Sequence, residues 1–484
     1  MAVDTVKKYF STVMQHRTFK EEKKMKIDVK KVPQPAFDHE NKRVFLSDET
    51  IEKRKQAILA LMKKYQFSSL IIYADKEHGS NFEYLTGFIP RFEEALLVLN
   101  SDGSSTLVLG NENVNKVKYA RIASKGVKCP FFSLPNQPMD FTATMKDYLV
   151  EANIDASERV GLVGWKLLSA QLEDFVQLFD IPEWIVSGIK EVVGEEKVWN
   201  ATALFIDASE GARVVNNANE IAFYEYGASL ASDGVLAAMN QLEVGVSETT
   251  VGDQLNKEGQ YNSVVTIAAF GERFAHANLY PTEKTLSHGD KVALTVAYKG
   301  GLSSRSGYAV QTKEELEQVD PGYFTEMVVP YFSAYHFWLE QIKIGANAGE
   351  FFAAFNTFFP QKTHGWELCP GHLVADEEWL SSPFYSGSNA TVKSGMIFQL
   401  DFIPVHPKHH GVSAESTLVL ADASLRAEIQ TQYPQLWDRM VERRRYLKEV
   451  LGIDLKEEVL PMCSTLGYLR PYLLNQEAAL VVSS

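Results

Sequence analysis

The chain has 484 residues, more than one hydrophobic core usually supports, so its length predicts two folded domains. Hydrophobic residues make up 45% and charged residues 23%, as in an ordinary globular protein, and no run approaches the roughly 18 apolar residues that cross a membrane. The net charge of −14 argues against a general nucleic-acid binder.

Cysteine usage and the N-terminus favour a cytoplasmic location. Cys129, Cys369 and Cys463 are odd in number and widely spaced, which does not suit a disulfide framework. The first residues lack the continuous apolar core of a signal peptide. We therefore expect a reduced, cytoplasmic protein.

The first half of the chain alternates helical and strand patterns. Residues 1–45 are predicted to form an N-terminal extension, after which "SDETIEKRKQAILALMKKYQ" predicts a helix capped by Ser47. The segment "SSLIIYAD" predicts a buried strand, and "EALLVLNSDGSSTLVLGNEN" predicts two strands joined by an Asp-Gly turn. Residues 46–210 are therefore predicted to form an α/β domain.

The second half begins with a long helical pattern, "NANEIAFYEYGASLASDGVLAAMNQL". Strands are predicted at "SVVTIAAF", "KVALTVAY", "MIFQLDFIPV" and "ESTLVLAD", with helices near 311–345 and 424–452. Residues 211–455 are therefore predicted to form an α+β domain with a mostly antiparallel sheet, followed by a tail over 456–484.

One stretch of the second half has the pattern of a hairpin that could carry metal ligands. "GDKVALTVAYKGGLSSRSGYAV" alternates apolar and polar residues and turns at a Gly-Gly pair. Such a hairpin can direct acidic side chains inward, yet Thr295 and Ser304 occupy the useful positions. The sequence thus raises the question of whether a metal site here lacks its carboxylates.

The chemistry-bearing residues of the second half are histidines and carboxylates near predicted strands. The sequence contains no GxSxG, GxxxxGK[ST] or HExxH motif, and no GxGxxG after a strand. An Asp inside an apolar strand, such as Asp401, either faces solvent or is buried with a cation, a donor network or a proton. Glu415 poses the same alternatives, and His276, His364 and His372 could complete a shared site.

The order of these motifs resembles the "pita-bread" superfamily of creatinase, prolidase, aminopeptidase P and methionine aminopeptidase. The chain supplies, in order, His276, "GDKVALTVA", "GGLSSRSGY", "THGWE" with His372, "GMIFQLDFIP" and "AESTLVL". The segment "NFEYLTGFIPRFEEALLVLNSDGSSTLVL" resembles the N-terminal domain of creatinase and prolidase. Over residues 48–450 the resemblance implies an α+β protein, with a creatinase-like α/β domain followed by a pita-bread domain with a curved, mostly antiparallel sheet.

Carried over position by position, the resemblance implies an incomplete metal-ligand set. It places Thr295 and Ser304 at the two aspartates of the family, and His364, Asp401 and Glu415 at the remaining three ligands. A two-metal clamp needs bridging carboxylates and is therefore not expected. The implied cofactor is either none or one divalent ion (Mn, Zn or Co) on His364, Asp401 and Glu415.

Creatinase, a metal-free hydrolase of this fold, implies different roles for the same region. His276 would be the general acid/base and His372 an assisting histidine, while Asp401 and Glu415 would bind substrate. The resemblance also places Arg91 in the region that reaches the partner's active site in creatinase-like dimers. Arg91 would there clamp a substrate carboxylate, or else form a surface ion pair with Glu93 or Glu94.

These inferences predict a cytoplasmic homodimer that cleaves a C–N bond in a small, polar, carboxylate-bearing or dipeptide-like substrate, metal-free or with one metal. A mononuclear Xaa-Pro dipeptidase or aminopeptidase is the second enzyme hypothesis. A catalytically degenerate binding or scaffold protein is the alternative from another class. Neither nucleic acid nor membrane is expected as a partner.

Overall fold

The computed structural model of the chain describes residues 26–38, 41–137, 143–168, 175–276 and 279–483. Within these ranges, no helix combines the length and apolar character needed to cross a membrane. The described residues form helices and four sheets, of two, three, four and six strands.

The first half contains seven strands and five α-helices among the described residues. The strands are β1 (Lys26–Lys31), β2 (Phe67–Ala74), β3 (Ala95–Asn100), β4 (Ser105–Leu109), β5 (Lys125–Lys128), β6 (Arg159–Val163) and β7 (Val198–Asn200). The helices are α1 (Asp48–Tyr65), α2 (Ser80–Thr86), α3 (Met145–Glu151), α4 (Glu183–Val193) and α5 (Ala203–Ile206).

A six-stranded mixed sheet organises this half, in the order β5-β4-β3-β2-β6-β7. Strands β2, β3 and β4 are buried along their whole length, as their apolar sequences require. The predicted helix is confirmed: the Ser47 side chain accepts a hydrogen bond from the Thr50 N–H and caps α1. The predicted strand pair around the Asp-Gly turn is also confirmed, as β3 and β4.

The second half contains eight strands and eight α-helices among the described residues. The strands are β8 (Ile267–Phe270), β9 (Lys291–Tyr298), β10 (Gly301–Tyr308), β11 (His372–Leu373), β12 (Ile397–Gln399), β13 (Thr417–Leu420), β14 (Val459–Pro461) and β15 (Ala478–Ser483). The helices are α6 (Ala218–Asn240), α7 (Glu248–Gly252), α8 (Lys313–Val319), α9 (Val329–Gln341), α10 (Ala348–Phe358), α11 (Gln361–His364), α12 (Ala423–Gln432) and α13 (Pro434–Glu449), and a π-helix, Phe324–Val328, leads into α9.

Two antiparallel sheets meet in this half. One has the order β10-β9-β8 and the other β11-β12-β13-β14. The Gln399 side chain joins them, because its amide donates to the Leu302 carbonyl and its oxygen accepts from Thr417. The predicted hairpin is confirmed as β9 and β10, which pack against the almost wholly buried α6.

The ends of the described chain are paired with each other. Strand β1 runs antiparallel to β15, and β14 extends the four-stranded sheet beside β13. The segment predicted as a tail therefore supplies two strands. The predicted strand "MIFQLDFIPV" is much shorter than expected, since β12 ends at Gln399 and Asp401 lies just beyond it.

Candidate metal centre

Three buried side chains of different strand ends converge where the two sheets meet. His372, Asp401 and Glu415 each offer one ligand atom, and these atoms lie within 4.8 Å of one another. His372 begins β11 and pairs with Gln399 of β12. The Leu400 N–H donates to the Ser416 carbonyl, which continues the pairing of β12 with β13 and sets Asp401 near Glu415.

Each of the three residues carries a buried polar atom without a hydrogen-bond partner among the described residues. These atoms are Nε2 of His372, Oδ1 of Asp401 and Oε1 of Glu415. His372 Nε2 does lie 3.0 Å from Glu378 Oε1, but the pair lacks the alignment of a hydrogen bond. Buried polar atoms are normally paired, so this set of one imidazole and two carboxylates fits a divalent cation.

The electrostatics of the centre also favour a positive species. Burial raises the pKa of Asp401 to about 6, opposed by His372. Burial, together with the charges of Asp401 and Glu378, raises the pKa of Glu415 well above its usual range. For His372, burial lowers the imidazole pKa, but the Glu378 and Asp401 carboxylates outweigh it and the pKa is raised. Without a metal ion, the centre therefore retains protons.

Hydroxyl groups occupy the positions at which the resemblance expects two aspartates. Thr295 and Ser304 are register partners in β9 and β10, and the Thr295 hydroxyl donates to Ser304 Oγ at 3.1 Å. The Ser413 hydroxyl also donates to Ser304 Oγ, at 3.1 Å. These neutral groups hydrogen-bond to one another, and the Ser304 N–H donates to the Glu415 carbonyl at 3.4 Å.

His364, predicted as a ligand together with Asp401 and Glu415, is not a member of their group in the structure. It ends the one-turn helix α11, and its ring stacks on Phe359 with centroids 3.9 Å apart. Burial there lowers the pKa of the His364 imidazole. Gly365, with φ of 66°, ends this turn, and the His364 ring contacts Phe359, the residue that follows α10. His372, predicted as an assisting catalytic histidine, is the histidine that lies in the group with Asp401 and Glu415.

The structure gives His276 a different setting from the one predicted for a general acid/base. It is exposed, it follows the 3₁₀ turn Gly271–Ala275, and its backbone N–H donates to the Arg273 carbonyl. It is not a member of the ligating group around Asp401 and Glu415. Its predicted role in proton transfer stays a prediction.

Arg91 is exposed on the first half of the chain, and its guanidinium lies 4.7 Å from the ring centroid of Phe92. The alternative surface ion pair is not formed with the described acidic residues. The Glu93 carboxylate is instead buried and accepts from the Glu112 N–H and the Asn113 amide. Substrate binding by Arg91 stays a prediction.

Glu378 and Trp379 border the centre and were not anticipated from the sequence. The Trp379 ring stacks on His372 with centroids 4.1 Å apart, and Glu378 adds a third carboxylate. The available signal was the acidic run Asp376–Glu378, which begins four residues after a histidine that opens a strand. Arg305 contacts the backbone of the centre, since its guanidinium donates to the main-chain carbonyl of Glu415 at 2.9 Å.

Comparison with solved structures identifies the fold. The prolidase from Pyrococcus horikoshii OT3 aligns with a TM-score of 0.58 and 17% identity over 76% of this chain and 95% of its own. The Xaa-Pro dipeptidase from Bacillus anthracis gives 0.57 and 14% over 77% and 96%. The X-Pro aminopeptidase from Thermotoga maritima MSB8 gives 0.57 and 14% over 76% and 95%.

No protein-family model and no curated protein matches the chain. At these identities the structural likeness shows the fold. The chain has the pita-bread fold, as the order of its motifs predicts.

Proposed function

We propose that the chain is a hydrolase that cleaves a C–N bond in a small, carboxylate-bearing substrate of the dipeptide kind, with one divalent cation on His372, Asp401 and Glu415. The observation that carries the proposal is the convergence of three buried ligand atoms without hydrogen-bond partners among the described residues. The substrate class follows from the fold neighbours, which are named prolidase and Xaa-Pro dipeptidase. Mn, Zn and Co are the candidate ions.

The residues of the centre have separable roles in this proposal. His372, Asp401 and Glu415 would hold the ion, which would supply the Lewis acidity that polarises a carbonyl and makes water more acidic. Glu378 lies beside the trio and can accept the proton of an attacking water and pass it to the leaving nitrogen. Trp379 holds the His372 ring by stacking and covers one side of it.

The metal-free route through His276 has weaker support, because that side chain is exposed and outside the ligating group. One other hypothesis has support, namely a binding protein that has lost catalysis. The hydroxyls of Thr295 and Ser304 lie where the resemblance expects aspartates, and together with that of Ser413 they hydrogen-bond to one another. A homodimer and a cytoplasmic location remain predictions from the sequence.

The test is to load the purified protein with Mn, Zn or Co, remove the excess, and measure metal content and hydrolysis of an Xaa-Pro and general dipeptide panel. We expect Asp401→Asn and Glu415→Gln each to lose one metal equivalent. We also expect hydrolysis to fall on the order of 100-fold or more. Asp438→Asn, at an exposed aspartate, is the matched control and should retain both.

Two outcomes contradict the proposal. Metal content unchanged in Asp401→Asn would show that the trio does not hold the ion. A loaded protein that hydrolyses none of the panel, yet binds dipeptides, would establish the binding-protein hypothesis.

A further inference from the structure

A second group of metal-ligating side chains lies on another part of the fold. Glu326, His406 and His409 each offer one ligand atom, again within 4.8 Å of one another. Glu326 belongs to the π-helix, and the two histidines face each other as partners of an isolated antiparallel bridge. The group shares no residue with the trio of His372, Asp401 and Glu415.

A buried carboxylate orients one of these histidines. His409 Nδ1 lies 2.7 Å from Asp320 Oδ1, and the other Asp320 oxygen accepts from the Tyr308 hydroxyl at 2.7 Å. The His409 side chain is only 3% exposed, so this contact is held within the fold. A carboxylate that accepts Nδ1–H fixes the tautomer whose Nε2 lone pair is available, as is usual for metal-binding histidines.

The available nitrogen faces another carboxylate. His409 Nε2 lies 3.3 Å from Glu326 Oε2. Both atoms carry lone pairs, so a proton or a metal cation must lie between them to offset their repulsion. The His406 ring stacks on His409 with centroids 4.7 Å apart, and two stacked imidazolium rings would repel each other. Lys408 N–H donates to His406 Nδ1 at 3.2 Å, and a cation bound at that nitrogen would replace this single hydrogen bond.

We propose that Glu326, His406 and His409 bind one divalent transition-metal ion, with Asp320 as the residue that positions His409. Two imidazoles and one carboxylate suit Zn²⁺, Ni²⁺ or Co²⁺ better than Mg²⁺ or Ca²⁺, which prefer oxygen ligands. The partial exposure of His406 and the exposure of Glu326 leave the site open to solvent.

The position of this site gives it a consequence for the centre. Both histidines lie in the segment that leaves Asp401 and returns at Glu415. A metal ion shared with Glu326 would cross-link that segment to the π-helix. The inference itself does not depend on the proposed hydrolase function.

The test is titration of the metal-free full chain with Zn²⁺ by isothermal calorimetry, with the number of sites as the readout. We expect His409→Gln and Glu326→Gln each to remove one site that Asp401→Asn retains. Asp320→Asn should weaken binding at that site by about 10-fold or more, because the histidine loses its orientation. His288→Gln is the matched control, since His288 is exposed and also contacts a glutamate, Glu315, at 2.9 Å.

The circular dichroism of each metal-free variant establishes that it is folded before titration. An unchanged number of Zn²⁺ sites in folded His409→Gln and Glu326→Gln would overturn the inference and leave the group as a proton-held cluster. Failure of the central site is distinguishable, because Asp401→Asn would then lose no site while His409→Gln still would.

Discussion

At the scale of single residues, the centre is defined by which side chains are charged. Asp401 and Glu415 remain, whereas Thr295 and Ser304 supply hydroxyls that satisfy each other. A pair of neighbouring dications needs bridging carboxylates, and hydroxyls stand at the two positions where the resemblance expects aspartates. Ser304 lies beside the backbone of Glu415, since its N–H donates to the Glu415 carbonyl at 3.4 Å, and the proposal of a single ion depends on the neutrality of Thr295 and Ser304.

The double substitution Thr295→Asp with Ser304→Asp tests this charge argument. We expect one additional metal equivalent over the parent protein, since the two carboxylates would stand side by side in register. In the metal-free state the same change should lower the unfolding temperature, because it adds two charges beside Asp401 and Glu415.

Metal analysis and thermal unfolding with and without a chelator measure both effects. Thr295→Asn with Ser304→Asn is the matched neutral control and should add no metal. An unchanged metal count in the folded aspartate variant would show that charge is not what limits the centre.

At the scale of elements, the sequence predicts those helices and strands whose position is determined by hydrophobic periodicity and by capping residues. The hairpin of β9 and β10, the Ser47-capped α1 and the long α6 follow from local patterns and are confirmed. The His-Gly pair at 364–365 predicts His364 as a metal ligand. In the structure His364 ends a one-turn helix, and its ring stacks on Phe359. His372 is set in the centre by pairing of β11 with β12, a nonlocal contact that spacing does not reveal.

The contact between α6 and the segment that follows β1 should make the stability of the protein depend on pH. Asp233 of α6 accepts the Asp38 N–H at 3.0 Å, and burial raises the pKa of its carboxyl to about 7. Because this folded-state pKa lies above the unfolded value of about 3.9, the folded protein binds the extra proton. The stabilisation that comes from protonated Asp233 is fully present below about pH 4 and is lost as the pH rises towards 7.

Asp233→Asn replaces the carboxyl by a neutral amide and so removes the cost of ionising a buried carboxyl above pH 7. We expect the free energy of unfolding of Asp233→Asn, relative to the parent, to increase from pH 4.5 to pH 8, by at most roughly 4 kcal/mol. Urea unfolding at several pH values measures it, and Asp438→Asn is the exposed control. A difference that stays constant with pH would refute the assignment to Asp233.

At the scale of the whole molecule, an ionic network connects the two halves of the chain. Lys299, in the turn of the β9–β10 hairpin, pairs with Glu83 of α2 and lies 3.7 Å from Asp376. Burial alone would raise the pKa of Asp376, but Lys299 and Arg213 lower it. Asp376 is two residues before Glu378 in the chain. Hydrophobic periodicity carries no signal for such a network.

Lys299→Met should therefore destabilise the protein strongly, because it leaves Glu83 and Asp376 buried beside fewer cations. We expect a loss of about 3–5 kcal/mol in the free energy of unfolding, measured with urea at neutral pH. Adding Glu83→Gln should recover part of the loss by removing one of the two carboxylate charges. Lys448→Met, which breaks an exposed pair with Asp454, should cost less than about 1 kcal/mol. Equal effects of Lys299→Met and Lys448→Met would mean that the network does not hold the two halves together.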